Sequence, residues 1–177
     1  MASEEDNTVT ADRDISFEVV WERVTSKLVE EVGEFWAAEG AGVGNPQEME
    51  ARAQQLMVLA RNEDKKIIAV SSAERRRVPI LGNNIFYYYR SFVAKIYRSR
   101  GLMTSLSHKA REYMHARFLN GEDTVTKGFY SEIESPILKK ALSDAVIEFG
   151  GVKDSFIGVD EYGRHLRVGW FDGAKIG

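Results

Sequence analysis

From Ile15 onward, apolar residues fall into strand-like and helix-like spacings. ISFEVVWE alternates β-branched and aromatic residues with polar ones, as a half-buried strand does. VTSKLVEEVGEFWAAEG then sets Val24, Leu28, Val32, Phe35 and Trp36 on one helical face that stops at Gly40. After the Gly-rich stretch GAGVGN, Asn45 suits an N-cap and Pro46 the first helical position, and Met49, Ala53, Leu56, Met57 and Ala60 extend one apolar stripe as a second helix. KKIIAVSSAE reads as a buried strand, ERRRVPILGNN as a turn or hairpin, and NIFYYYRSFVAKI as a long β-prone run. A short loop then enters a helix in which Leu102, Leu106, Ala110, Met114 and Phe118 repeat at helical spacing. KGFYSEI predicts a strand, Pro136 to about Phe149 a helix, and SFIGVDE and HLRVGWF two closing strands turning at Tyr162-Gly163.

This order predicts an α/β fold with a mixed, mostly antiparallel sheet of about six or seven strands, flanked by about four helices and containing one parallel crossover. The chain of 177 residues is long enough to bury a full core as a single domain over 15–177. Residues 1–14 are acidic and aperiodic, which predicts a disordered tail and no signal peptide. With no cysteine, disulfide scaffolds, Cys-ligated metal sites and thiol catalysis are excluded. No apolar run approaches the roughly 20 residues that span a bilayer, so a soluble cytoplasmic protein is expected. His108, His115 and His165 lack acids at metal-ligand spacing and read as surface or packing histidines, so no metal site is expected.

The net charge of −3 conceals one basic block: residues 74–117 carry ten bases against two acids, a net of +8. Such a block points to an anionic partner. Within it, VAKIYRSRGLMTSL places two arginines and a glycine between a strand end and a helix start. The first N–H groups of a helix lack intrahelical partners and carry partial positive charge, so this junction suits a phosphate or pyrophosphate. Arg98 and Arg100 add charge-assisted donors and Thr104 or Ser105 a hydroxyl; an ordinary strand–helix turn with solvated arginines fits the spacing equally well. Walker and dinucleotide glycine patterns are absent. Arg75, Arg76 and Arg77 read as a solvated hairpin.

The junction resembles the acyl-CoA-binding segment of the GNAT superfamily of N-acetyltransferases, a strand ending in Val followed by Arg/Gln-x-x-Gly-x-Gly/Ala and a helix with Leu three residues on. Val93 corresponds to the strand end, Tyr97 to the aromatic before the loop, Arg98 to the Arg/Gln, Gly101 to the first glycine and Leu106 to the helix leucine. Met103 stands where the second Gly/Ala is found, and Lys95 where proline is frequent. The Met103 side chain can turn into the core while its N–H faces a ligand. Element order agrees over roughly residues 15–177. The resemblance implies a GNAT-like fold, acetyl-CoA as co-substrate bound by Val93, Arg98, Ser99, Arg100, Gly101, Leu102, Met103 and Thr104, and a gap between the Val93 strand and KGFYSEI that admits the acyl-pantetheine arm.

It also implies an acetyl transfer to a small amine or peptide amine, needing a base for the amine and a proton for the leaving thiolate. Glu132 and Glu134, two apart on one strand, share a face near that gap and are base candidates, beside the alternative of a solvated strand end. The general-acid tyrosine usual in the following helix is missing from ILKKALSDAVIEFG; Tyr130 is the substitute, and Ser135 is an N-cap that can also bond cofactor or thiolate. Tyr87, Tyr88, Tyr89 and Phe86 alternate between core packing and a face open to an acceptor amine. Glu34, Trp36 and Glu39 lie near the loop where an acceptor enters. A catalytically inactive CoA-binding or regulatory protein of the same fold is the alternative. A nucleic-acid module is disfavoured by the acidic remainder and the lack of a recognition signature. Exposed C-terminal strands are compatible with a homodimer.

Overall fold

The computed structural model describes residues 15–98 and 101–177. The expected tail 1–14, and Ser99 and Arg100 of the junction, lie outside the described residues. In chain order the elements are β1 (Ser16–Val19), α1 (Ser26–Glu39), α2 (Pro46–Ala53), β2 (Leu56–Arg61), β3 (Ile67–Val78), β4 (Asn84–Val93), α3 (Leu102–Leu119), β5 (Gly128–Ile133), α4 (Pro136–Ala141), β6 (Val146–Phe149), β7 (Val152–Val159) and β8 (His165–Trp170). The strands form one sheet of eight in the order β1-β2-β3-β4-β5-β8-β7-β6, antiparallel except for β4 against β5. That is a mixed α/β sheet as expected, with more strands than expected.

Local signals set the helix starts. Thr25 caps α1, its Oγ1 accepting from the Leu28 N–H at 3.2 Å, and Gly40 ends it in the left-handed conformation at φ 67°. Asn45 and Glu48 close a reciprocal capping box on α2, with Pro46 behind the cap. Leu28, Val32 and Trp36 of α1 meet Leu56, Leu59 and Val70 on one face of the sheet. Leu102, Leu106, Ala110 and Met114 of α3 pack on the opposite face against Val58, Ala69, Tyr89 and Phe129.

Two segments differ from the sequence expectation. The stripe from Met49 to Ala60 is not one helix: α2 stops at Ala53 and Leu56–Arg61 is β2. Paired on both edges and buried on both faces, β2 has no polar alternation to distinguish it from a buried helix. The expected helix from Pro136 to Phe149 likewise ends at Ala141, and Val146–Phe149 pairs with β7 instead. Past the helix end, the buried Arg167 guanidinium takes the carbonyls of Leu142 and Asp144, each at 3.1 Å, and holds the chain away from a further turn. The arginine triplet lies in a hairpin, on its first strand and not in its turn. It continues β3, pairing Arg75, Arg76 and Arg77 with Tyr87, Phe86 and Ile85, and the turn falls at Pro79–Asn83.

No helix among the described residues is long and apolar enough to cross a membrane. Among them, no group of three or more His, Asp or Glu side chains could hold a metal ion.

Candidate active site

The single parallel seam of the sheet is short. β4 and β5 pair only at Tyr87 with Phe129 and Tyr88 with Tyr130, although β4 runs on to Val93 and β5 to Ile133. Beyond Tyr88 the two strands therefore part. Alternate residues of a strand turn their backbone groups to opposite edges, and the Ile85 carbonyl accepts from the Lys127 N–H at 2.8 Å on the β5 side. By that alternation Tyr89, Ser91 and Val93 offer their N–H and C=O groups to the gap. Arg98 closes the end of this edge, its Nε donating to the Val93 carbonyl at 3.0 Å. A central strand edge left unpaired is a site for another extended amide chain.

A cavity of about 400 Å³ occupies the parting. Tyr88, Tyr89, Arg90 and Ser91 line it from β4, and Ser131, Glu132, Ile133 and Glu134 from β5 and the residue after it. Met103, Ser107 and Arg111 stand four apart on α3 and form a wall, with the Ser107 Oγ 3.6 Å from the Met103 sulfur and 3.3 Å from the Tyr89 hydroxyl, its single proton shared between these two acceptors. Met103 is thus folded back along its own helix. Leu138, Leu142 and Phe149 close the cavity below β5. Its deepest charges, Arg111 and Arg167, share the buried carboxylate of Asp154 at 2.8 Å each.

Two residues before Met103, Gly101 takes φ 70° as the N-cap of α3, with no side chain capping the helix. A Cβ there meets nothing within 4 Å, so the approach is open. The first-turn N–H groups of Leu102, Met103 and Thr104 thus have no capping side chain. Thr104 is exposed, and Leu102 and Val93 are buried. Arg98 is exposed, stacked on Phe92 at 5.6 Å.

Glu132 and Glu134 both line the cavity, in different surroundings. The Glu132 carboxylate accepts from the Tyr88 hydroxyl at 3.1 Å and is ion-paired to Arg164 at 2.6 Å. Glu134, just past β5, is exposed at the rim and makes no ion pair or hydrogen bond with the described residues. Tyr130 is buried and is not among the residues lining the cavity. Burial, then the Glu132 carboxylate beside it, push its hydroxyl up to about 12. Burial and Glu132 also raise Tyr88, and burial raises Tyr89. Ser135 caps α4, its Oγ accepting from the Leu138 N–H at 3.4 Å.

Several residues set aside in the sequence have defined partners. Arg75 binds Asp123, whose carboxylate also accepts from the Tyr87 hydroxyl and from Thr126. Arg76 pairs with Glu74 and lies 3.6 Å over the Tyr88 ring. Trp36 is buried under α2 with Arg52 5.1 Å above its ring, and Glu39 accepts from the Lys95 N–H at 2.9 Å. His108 and His115 accept backbone N–H groups of Gly150 and Asp172. Arg52, Ser107, Arg111 and Ser131 were not singled out from the sequence. The four-residue spacing of Met103, Ser107 and Arg111, beside the apolar stripe of α3, is the signal that could have found two of them.

No protein-family model matches the chain, and no curated protein matches it in sequence. Solved structures match across nearly its whole described length. A GNAT-family acetyltransferase from Streptococcus pneumoniae superposes with a TM-score of 0.56 at 12% identity, covering 90% of this chain and 100% of that one. Arabidopsis thaliana NAA60 in complex with a bisubstrate analogue gives 0.55 at 13% identity, covering 91% and 99%. The AtaT toxin, bound to the C-terminus of the antitoxin AtaR and acetyl-CoA, gives 0.52 at 11% identity, covering 89% and 94%. The chain has the fold of the GNAT acetyltransferases.

Proposed function

We propose that this protein is an acyl-CoA-dependent N-acyltransferase that moves an acetyl group from acetyl-CoA to an amine. The parting of β4 from β5 beside an uncapped helix N-terminus carries the reading. An extended pantetheine amide chain fits the free edge of Tyr89 and Ser91, and a pyrophosphate fits the first turn of α3, where N–H groups and partial positive charge converge. Gly101 leaves that turn open, and Met103 is turned back toward Ser107. The structural neighbours named above include one solved with acetyl-CoA and one with a bisubstrate analogue, which supports the same ligand class.

In this reading the thioester carbonyl lies where the strands part. The amine enters from the face that carries Tyr88, Glu132 and Glu134, and Glu134 takes its proton directly or through water. The free nitrogen attacks the carbonyl carbon; the C–N bond forms, the C–S bond breaks, the nitrogen gives its surplus proton to water, and the thiolate takes up a proton from water or from the Tyr88 hydroxyl, which water reprotonates. Backbone N–H groups along the free β4 edge are suited to receive the oxyanion. Glu132, occupied by Tyr88 and Arg164, positions the Tyr88 ring rather than serving as the base. Tyr88 replaces Tyr130 as the phenol at the cavity. Arg98 holds the strand end.

Acetyl-CoA should raise the melting temperature, and thiol release should accelerate with an amine acceptor present. The Gly101→Glu variant, which places a strained, negatively charged residue at the uncapped turn, should lose the melting shift. Absence of a shift at millimolar acetyl-CoA would overturn the proposal. A shift without amine-dependent thiol release would instead favour the inactive CoA-binding protein.

A further inference from the structure

Around the cavity most arginines have an acid. Arg76 has Glu74, Arg164 has Glu132 and Asp160, and Arg111 and Arg167 share Asp154. Arg52 and Arg90 do not. The Arg52 guanidinium makes no hydrogen bond or ion pair with the described residues; it stacks on Trp36. Arg90 donates to the neutral amide oxygen of Gln55 and stacks on Tyr88. The Nε of each is buried without a partner. Glu74, connected to Arg90 through Gln55, is already held by Arg76.

These two cations are also neighbours in space. Both line the cavity between the parted strands, and both line a second cavity of about 380 Å³ beneath the Gly-rich loop, where the two carboxylates are engaged elsewhere, Glu48 in the capping box of α2 and Glu74 with Arg76. They form the partition between the two spaces. Burial first, and then the charge of Arg90, depress the Arg52 guanidinium. Two half-buried guanidinium groups without a carboxylate are costly unless something anionic joins them. Their planar forks match the oxygens of a carboxylate or a phosphate.

We infer that the acceptor is an amine bearing an anionic group, a carboxylate or a phosphate, which Arg52 and Arg90 hold while the amine faces the parting of β4 and β5. This rests on the acyltransferase reading and gives it a substrate class. Arg90 lies two residues beyond Tyr88 on the same face of β4, so the anion is anchored about 7 Å along the strand from the point of parting. Small amino acids and phosphorylated amines fit that arrangement, and polyamines are repelled by it. The aromatic face of Tyr88 is already covered by Arg76 and Arg90, so it does not select a cationic acceptor.

The experiment uses the full chain with saturating acetyl-CoA, after its melting shift has been recorded. Thiol release is measured with the L-amino acids against their carboxamides, O-phosphoethanolamine against ethanolamine, and spermidine. An anionic acceptor should exceed its neutral counterpart in kcat/KM by about tenfold or more. The pair that shows the preference tells carboxylate from phosphate. Arg52→Gln and Arg90→Gln should each reduce the preference, mainly through KM, and keep the acetyl-CoA melting shift. If no amine is turned over, an added melting shift by the anionic amines in the presence of CoA, lost in both variants, still supports the inference. Equal use of carboxamides, preference for spermidine, a preference unchanged in both variants, or neither turnover nor an added shift overturns it. Loss of the acetyl-CoA shift itself would count against the acyltransferase reading instead.

Discussion

Tyr88 and Glu132 meet across the seam where β4 and β5 stop pairing, with the phenol donating to the carboxylate at 3.1 Å. Tyr88 occupies the last paired position of its strand, opposite Tyr130, and Glu132 lies two residues beyond on β5. The hydrogen bond ties the strands together just after their backbones part, with Arg164 holding Glu132 from the far side. The Tyr88→Phe variant should therefore keep its fold, losing about 1 kcal/mol of stability, and lower kcat several-fold. Urea unfolding and steady-state thiol release measure the two; unchanged kcat would remove Tyr88 and Glu132 from the reaction.

Glu134 is the carboxylate left without partners at the rim, and base catalysis by it makes a distinct demand. The Glu134→Gln variant should lower kcat by about 10²–10⁴-fold while the acetyl-CoA melting shift persists, and part of the loss should be recovered at high pH, where the amine deprotonates in solution. If Glu132→Gln abolishes turnover and Glu134→Gln does not, the two carboxylates exchange roles.

Arg167 joins three features: the Asp154 carboxylate, the Asp154 carbonyl and the two carbonyls that follow α4. Replacement by Met fills similar volume but leaves those acceptors short of donors and strips Asp154 of one of its two cations. A loss of about 3–5 kcal/mol is expected in urea unfolding. A loss under about 1 kcal/mol would mean that water or Arg111 takes over.

Asp123 carries a pH signature. Burial pushes its carboxyl up, but the Tyr87 hydroxyl, the Thr126 N–H and hydroxyl, and Arg75 outweigh that and hold it well below the usual carboxylate range. The unfolded chain takes up its proton near pH 4 and the folded chain only at lower pH. As pH falls below about 4 the unfolded state binds more protons and stability declines; above it the contribution is complete. Urea midpoints of the wild type should fall between pH 5 and pH 3, and Asp123→Asn should be less stable at pH 7 and flatter over that interval. Parallel curves for the two proteins would assign the acid sensitivity elsewhere.

Much of the architecture is legible in local chemistry. The Thr25 and Asn45 caps, the Gly40 stop, and the passage from the β-prone run 84–93 through Gly101 into the stripe Leu102–Leu106–Ala110 each depend on residues close in sequence, so spacing suffices to read them. The β4–α3 junction is of this kind. β2 and β6 are not, because Leu56–Ala60 and Val146–Phe149 carry no period that separates strand from helix. Their state follows from what lies beside them: β1 and β3 on the two edges of β2, and β7 together with Arg167 for the chain after α4. The site divides the same way. Two carboxylates two apart on a strand share a face by geometry alone, but which one is free depends on Tyr88 and Arg164, distant in the chain. The basic block 74–117 reads in sequence as a single field of charge, whereas folding pairs Arg75 with Asp123 and Arg111 with Asp154 from beyond the block and leaves Arg90 of β4 beside Arg52 of α2. Charge can be counted along a chain, but whether it is compensated depends on distances that only the packed sheet and helices set.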